Sequence, residues 1–419
     1  MKKISILMLL LFSTVFIYAQ SLDDINDMMD KKNYAGAKTA IDKYLAEGNN
    51  NTKADGWYFK GRIYNSLSYE KTIAESDLYD LKNAAFEAFK KYQQLDPKDV
   101  RMKLENYGSY LDLYFSLYDL GANLFNNKNY AGAYNAFKKA LEIEEFIIGK
   151  KYTFTQVTLN NLDTALVLNT AIAATQAKKE DEAIPYYKKL VDANVVGQGY
   201  QEVYEYLVEY FDKKAAAAAF NEMLVKGRKN YPSDNYWNEI ELSSLSKKGD
   251  QAALFAKYDE ILSKEPGNFI IAYNYSVELY KKVNDKDVKQ PDDNVLKDKL
   301  TTVLKIAIAS DTGIDATVLM ANHFYNMASD YLNAISLLKG TKPEDVKKKN
   351  ELKALSTKKM DECITYADLA VKYFEPKTKL KPIQSANYKI VLSYLSEIYN
   401  LKGDKKKADE YDKRLAALK

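Results

Sequence analysis

The stretch Leu117–Leu141, LYDLGANLFNNKNYAGAYNAFKKAL, decides the fold of this 419-residue chain. Its small and apolar residues follow the three- and four-residue spacing of two amphipathic helices, and a polar turn around Asn129 separates them. Small residues at Gly121 and Ala133 allow two helices to approach closely, and Phe137 is large enough to fill the space beside them. The stretch therefore predicts a helix–turn–helix hairpin. The residues that carry the pattern are Leu117, Leu120, Gly121, Leu124, Tyr130, Ala133, Phe137 and Ala140.

The pattern recurs along the chain. The five residues NYAGA at 33–37 occur again at 129–133. Partial copies, with a small residue in each helix and an aromatic residue between hairpins, cover 57–97, 167–190, 237–266 and 392–415. Recurrence at a period near 34 residues predicts a repeat protein of about nine helix pairs.

This spacing resembles the tetratricopeptide repeat (TPR), a helix–turn–helix unit of 34 residues. The resemblance implies an all-α fold: a TPR-like solenoid of antiparallel helix hairpins that forms a right-handed superhelix. It extends over nearly all of 20–419, and we expect any break in the solenoid near 329–360. Longer connections at 64–85 and 279–300 leave open whether the groove or these inserted hairpins contact a partner.

The N-terminal residues resemble a bacterial secretory signal peptide. Lys2 and Lys3 precede the uncharged run 4–18, and Ala19 provides a small residue at the cleavage position. We therefore expect a Sec signal peptide at 1–19, cleavage after Ala19 and a periplasmic or secreted protein. The apolar run is shorter than the roughly 20 residues of a membrane span, although an uncleaved anchor is the alternative. We expect no transmembrane segment in the mature chain.

Composition excludes several classes of function. The chain has 61 Lys and Arg against 58 Asp and Glu, so its charge gives no indication of nucleic-acid binding. A single histidine, His323, and a single cysteine, Cys363, exclude an intrachain disulfide and any metal site built from several such ligands. With 8 Pro and 16 Gly, a turn-rich all-β fold is also disfavoured.

No pattern of catalytic residues is present. The chain has no nucleophile, zinc-protease or phosphate-loop motif, and we expect His323 and Cys363 to be buried in helix packing. Asp285 and Asp287 lack the Gly and Glu that an EF-hand needs. Glu144 and Glu145 are expected to be solvated. We therefore expect a protein that is not an enzyme, with no catalytic residues, no metal and no cofactor.

The 35 tyrosines are the best indication of a binding surface. Four of them, Tyr107, Tyr110, Tyr114 and Tyr118, are spaced three and four apart and share a helical stripe. The TPR resemblance implies a concave groove lined by the first helix of each hairpin, and Tyr and Arg are favoured anchors in such surfaces. Carried onto the clearest repeats, the groove consists of Tyr58, Arg62, Asn65, Phe115, Tyr118, Phe125, Asn126, Tyr236 and Glu239.

These features favour a non-catalytic protein–protein interaction scaffold of the bacterial cell envelope. Its partner would be a peptide segment of another envelope or secreted protein, held in the concave groove. The alternative is an exported glycan- or nutrient-binding module, because aromatic faces also stack on sugar rings. The sequence indicates neither the identity of the partner nor the oligomeric state.

Overall fold

The computed structural model describes residues 21–155, 157–285, 293–309 and 313–418, with Asp293 described by its backbone alone. All regular elements in these ranges are helical, which confirms the prediction of an all-α fold. The expected signal peptide at 1–19 lies outside the described residues. Among the described helices, none is long and apolar enough to cross a membrane.

The chain divides into two compact units, one ending at Asp234 and the other beginning at Asn235. A single turn of 3₁₀ helix, Asn50–Thr52, follows α2 in the first unit. The α-helices of the first unit are α1 (Leu22–Asp30), α2 (Tyr34–Ala46), α3 (Ala54–Leu67), α4 (Glu75–Leu95), α5 (Val100–Leu104), α6 (Gly108–Asn126), α7 (Tyr130–Lys150), α8 (Thr164–Gln176), α9 (Glu180–Asp192), α10 (Gln201–Lys213) and α11 (Ala217–Asn230). Those of the second unit are α12 (Tyr236–Lys248), α13 (Gln251–Lys264), α14 (Phe269–Val283), α15 (Asp293–Ile308), α16 (Ile314–Leu337), α17 (Pro343–Phe374), α18 (Pro382–Leu401) and α19 (Lys405–Ala417).

Consecutive helices pack as hairpins, and neighbouring hairpins pack on each other. In the first unit the pairs are α1/α2, α3/α4, α6/α7, α8/α9 and α10/α11, while α2 contacts α3 and α7 contacts α8. In the second unit they are α12/α13, α14/α15, α16/α17 and α18/α19. Only α5 lacks such a partner among the described helices. This arrangement is the TPR-like helical repeat that the sequence predicts.

The tight turns inside the hairpins share one backbone conformation. Before α7, Lys128 is left-handed with φ 63°, and the Asn129 side chain then accepts a hydrogen bond of 3.1 Å from the Gly132 N–H. The duplicated NYAGA segment repeats this before α2, where the turn residue has φ 58°. The asparagine side chain thus satisfies a backbone N–H that has no partner inside the helix. The segment therefore forms both the turn and the N-cap of the next helix. Equivalent left-handed turn residues are Lys32, Lys128, Lys178, Ala215, Gly249 and Gly403.

Small residues let the paired helices approach as predicted. A Cβ placed on Gly121 of α6 would lie 2.5 Å from Phe137 Cδ1 on α7, and the ring of Phe137 is only 2% exposed. Gly61 and Phe89 make the same contact between α3 and α4. Each glycine therefore leaves room for an aromatic ring that closes its hairpin.

The segment 329–360, where we expected any break, is helical for most of its length. The helix α16 continues through Leu337 and α17 begins at Pro343, so only 338–342 connect them. The two helices pack closely on each other. The division between the two compact units lies between Asp234 and Asn235.

Candidate partner-binding site

A pocket of about 240 Å³ lies between the first helices of two consecutive hairpins, α6 and α8. Phe125 and Asn126 line it from the end of α6, and Asn169 and Ile172 line it from α8. Phe137 of α7 and Ala122 complete the wall. The pocket therefore lies on the helices that the TPR resemblance assigns to the concave groove.

Contacts among aromatic side chains hold this pocket in shape. The Phe125 ring is half-buried and packs edge-on against Tyr130, with ring centres 5.1 Å apart. The Asn169 side-chain amide donates a hydrogen bond of 3.2 Å to the Tyr118 hydroxyl. Tyr118 in turn packs edge-on against Phe137. The result is an apolar floor with the Asn126 and Asn169 amides beside it.

Phe115 lies on the same stripe of α6. The residues 115, 118, 122 and 125 are three or four apart, so their side chains follow one face of the helix. Phe115 is 45% exposed and lines a second pocket of about 300 Å³, which is formed with α7 and the segment leading into α8. The predicted residues Phe115, Tyr118, Phe125 and Asn126 are thus brought together along α6.

Two of the three predicted residues on α3 are committed to packing. Tyr58 is 6% exposed, and its hydroxyl donates a hydrogen bond of 3.2 Å to Glu105. Asn65 is 9% exposed, and its amide donates to Asp112 at 2.6 Å. Little of either side chain remains for a partner, which corrects their expected exposure in the groove. Arg62 is exposed and lies over the Tyr58 ring.

The remaining two predicted residues belong to the second unit. Tyr236 begins α12 and is half-buried, with its ring edge-on to Trp237 at 5.0 Å between centres. Glu239 is exposed one turn later. Neither lines the pocket between α6 and α8.

Some residues of the site were missed from sequence. Ala122, Asn169 and Ile172 line the pocket, yet the 167–190 copy of the repeat was too degenerate to indicate a groove face. The available signal was Asn169 itself, an amide inside the run 165–174, where Thr170 is the only other polar residue. Glu144 was expected to be solvated, but it is 3% exposed on α7, whereas the neighbouring Glu145 is exposed and pairs with Lys189.

The residues with reactive side chains are buried as predicted. His323 is 1% exposed, and its Nε2 lies 3.0 Å from Thr301 Oγ1 and 3.2 Å from the Lys297 carbonyl oxygen. Burial lowers the pKa of His323 to about 4. Cys363 is fully buried, and burial raises its thiol pKa to about 12. Neither group is placed to react with a ligand at neutral pH.

Metal ligands are not grouped in the part of the chain that the structure describes. No set of three or more His, Cys, Asp or Glu side chains there is placed to hold an ion. The α6 stripe instead combines aromatic faces with amide groups.

Comparison with known proteins gives the following. No family model matches the chain, and neither does any curated protein sequence. Similar solved structures include the C-terminal part of a TPR repeat-containing protein from Cytophaga hutchinsonii, at 16% identity and TM-score 0.39 over 72% of this chain and 95% of that one. The TPR domain of P58(IPK) is similar at 13% identity and TM-score 0.25, over 90% and 97%. A human IFIT1 dimer with PPP-AAAA is similar at 13% identity and TM-score 0.22, over 94% and 89%.

The class of the protein follows from its own hairpins, in which Gly121 and Phe137 close one unit and Gly61 and Phe89 close another. By fold it is a TPR-like helical-repeat protein.

Proposed function

We propose that this chain is a non-catalytic interaction scaffold that binds a segment of another protein along α6 and α8. The observation that supports this most directly is the pocket of about 240 Å³ between these helices. Its half-buried Phe125 ring offers an apolar surface, and the exposed Asn126 extends it to solvent. Phe115 continues the surface along the same helix.

The chemistry of the pocket suits a peptide. Asn126 and Asn169 each carry an amide with a donor and an acceptor, which is the complement of a peptide group. The hydrogen bond from Asn169 to Tyr118 fixes one amide before any partner arrives. Because these groups are already ordered, less conformational entropy is lost by the scaffold on binding.

The cellular setting is part of the proposal. The partner would be another envelope or secreted protein, met in the periplasm or outside the cell. The support for this is the signal-like pattern of Lys2, Lys3 and the uncharged run that follows.

Photo-crosslinking tests the proposal with a matched pair of positions. A photoreactive phenylalanine replaces Asn126 at the pocket or, as control, Asn135, an exposed asparagine on α7 of the same hairpin. The experiment is done in the cells that produce the protein, with circular dichroism to show that both variants fold. We expect a discrete protein adduct from position 126 alone. Equal adducts from both positions, or none from 126, would contradict the scaffold.

The exported glycan-binding alternative is favoured by one observation, the placement of two amides around the Phe125 ring. Sugar rings stack on aromatic faces while amides bind their hydroxyl groups. A glycan array with the purified chain tests it. Saturable binding that Phe125→Ala removes, together with no protein adduct from position 126, would replace the scaffold by this function. A Phe125→Ala variant that loses about thirtyfold in affinity for a crosslinked protein supports the scaffold.

A further inference from the structure

The second pocket on α6 has an unusual polar lining. Its volume is about 300 Å³, and Tyr114 and Phe115 of α6 line it together with Glu144 of α7 and Asp163 at the start of α8. Other residues between 157 and 165 form the rest of its wall. Two carboxyl groups line the pocket, and no Lys or Arg does.

Glu144 carries an unsatisfied acceptor at this pocket. The side chain is 3% exposed, and its Oε1 accepts no hydrogen bond from any residue that the structure describes. Buried polar atoms are nearly always paired, because an unpaired one forfeits the hydrogen bonds that water would provide. The free oxygen therefore needs a donor that this part of the chain does not supply.

Asp163, in contrast, is fixed by its neighbours. Its Oδ2 accepts a hydrogen bond of 2.7 Å from the Tyr114 hydroxyl, and its Oδ1 caps α8 by accepting 2.9 Å from the Leu166 N–H. Asp163 is thus a carboxylate fixed by two hydrogen bonds, and it lies beside Glu144, whose Oε1 has no donor among the described residues.

Burial and the surrounding charges together shift the pKa of Glu144. Burial and the Asp163 charge raise its pKa to about 7, with a smaller contribution from Glu145 in the same direction. The Lys189 charge and a hydrogen bond from the Asp163 backbone N–H act in the opposite direction. A cation in the pocket would favour the ionised carboxylate and supply its missing donor.

We propose that this pocket binds an organic cation on an alkyl stem, the ammonium or guanidinium end of a basic side chain in the partner segment. The free Glu144 oxygen and the Asp163 carboxylate receive the positive charge, and the exposed face of Phe115 packs along the apolar stem. This inference rests on the proposed scaffold function and specifies what the partner segment carries.

The spacing of the two pockets gives the spacing in the partner. From Phe115 to Phe125 is ten residues of α6, or about 15 Å at a rise of about 1.5 Å per residue. An extended peptide covers about 3.3 Å per residue. The basic residue should therefore lie about four to five positions from the apolar residue that occupies the pocket at Phe125.

Small cations test the site without the partner. The full chain carries 4-fluorophenylalanine at position 115, and its ¹⁹F signal is followed while butylammonium, butylguanidinium or neutral butanol is added. We expect saturable shifts with one or both cations and none with butanol; the tighter cation indicates lysine or arginine. Since the ionised Glu144 binds the cation, affinity for butylguanidinium should rise by about tenfold between pH 6 and pH 8.

Two neighbouring variants complete the test. Glu144→Gln should weaken cation binding at least tenfold, whereas Glu145→Gln, at the exposed neighbour, should change it less than twofold. Equal shifts with butanol, unchanged binding in Glu144→Gln, or a response to Ca²⁺ in place of the organic cations would overturn the inference. If the cations do not bind but position 126 still crosslinks to a protein, the cation site is wrong and the scaffold proposal stands. If the cations bind but position 126 gives no crosslink, only the scaffold proposal is contradicted.

Discussion

Gly121 lies directly beneath the ring of Phe137, so the third hairpin closes through a contact between a residue without a side chain and a large one. A Cβ at Gly121 would come within 2.5 Å of Phe137 Cδ1. Phe137 also lines the pocket between α6 and α8. The residue that holds the hairpin together is therefore also part of the wall of the proposed groove.

Gly121→Ala should lower stability by about 1–3 kcal/mol, because the new methyl group overpacks a buried ring. This loss outweighs the gain of about 1 kcal/mol that alanine gives inside a helix. The midpoint of urea denaturation measures it. The control is Gly149→Ala near the end of α7, where a Cβ meets no atom within 4 Å. If both variants are equally stable, the close contact at Gly121 does not exist.

At the shared left-handed turns, Ala-to-Gly and Gly-to-Ala substitutions should change stability in opposite directions. Ala215 has φ 53°, a conformation that costs an L-residue about 1–2 kcal/mol, so Ala215→Gly should stabilise the chain by up to about 1 kcal/mol. Gly403 has φ 81° and open space around it, so Gly403→Ala should destabilise by about 1 kcal/mol through backbone strain alone. Thermal denaturation measures both changes.

The same Ala-to-Gly change in a helix serves as the control for the turns. Ala354 is exposed within α17, and Ala354→Gly should lower stability by about 1 kcal/mol. A loss of stability in Ala215→Gly similar to that in Ala354→Gly would show that Ala215 does not bear the strain.

Some of these turns were readable from the sequence and others were not. Gly249 before Asp250 and Gly403 before Asp404 combine a residue suited to positive φ with a capping side chain, so composition indicates the turn. Lys178 and Ala215 adopt the same conformation without either feature. There the packing of the two helices imposes a backbone that the residue type disfavours.

Where the repeat is regular, two residues of the predicted groove lie at one pocket. Phe125 and Asn126 follow the TPR pattern and line the pocket. Tyr58 lies three residues before Gly61, as Tyr118 lies before Gly121, but the short helix α5 and Glu105 follow its hairpin, and Glu105 accepts a hydrogen bond from the Tyr58 hydroxyl. An inserted helix lies outside the repeat pattern, so sequence spacing could not reveal this contact.

Glu144 shows a second limit of the sequence pattern. Because Glu144 is next to Glu145, the sequence predicts that both side chains lie on a solvated face of the helix. Glu144 is 3% exposed, and the segment 157–165, which lies outside the helical repeat, lines the same pocket. Periodicity describes which face of α7 packs on α6 but carries no information on where an irregular connection lies.

His323 should titrate far below its usual range, because it is almost fully buried. It is also the only histidine, so its signal needs no assignment. NMR of an untagged chain yields a single imidazole signal, and the midpoint of its pH titration should lie near pH 4. Burial lowers this pKa, and the nearby Lys359 and Lys297 act in the same direction, while Asp298 and a hydrogen bond to the Lys297 carbonyl oxygen oppose it. A midpoint near 6.5 would contradict the buried position.

The histidine also predicts how stability depends on pH. Its folded pKa is depressed from 6.5, so the unfolded chain binds more protons between about pH 6.5 and pH 4. The stability is fully present above pH 6.5 and falls as the pH drops through that window, by up to about 3 kcal/mol for the imidazole alone. In His323→Gln this part of the acid dependence should disappear, as measured by urea denaturation at pH 7 and pH 4.5.

Lys82 on α4 is a buried ammonium group that should destabilise the fold at neutral pH. It is 4% exposed, donates a hydrogen bond of 2.9 Å to Ser68 and lies 4.1 Å from the centre of the Tyr69 ring. Burial lowers its pKa from 10.5 to about 8, although the Asp112 charge opposes this. The folded pKa is below the unfolded value, so the unfolded chain binds more protons between pH 8 and 10.5 and stability rises across that window.

Lys82→Met keeps the apolar stem and removes the charge, and Ser68 keeps its own hydrogen bond to the Asn65 carbonyl oxygen. We expect the variant to be about 1–3 kcal/mol more stable at pH 7, with an advantage over the parent chain that disappears by pH 10.5. The difference in stability between the two chains at each pH is free of the effect of tyrosine ionisation, because both chains contain the same tyrosines. Lys91→Met, at an exposed position of α4, should shift stability by less than about 0.5 kcal/mol. If Lys82→Met is the less stable chain at pH 7, then the Tyr69 face and Asp112 compensate the buried charge, and the ammonium group contributes to holding α4 against α3.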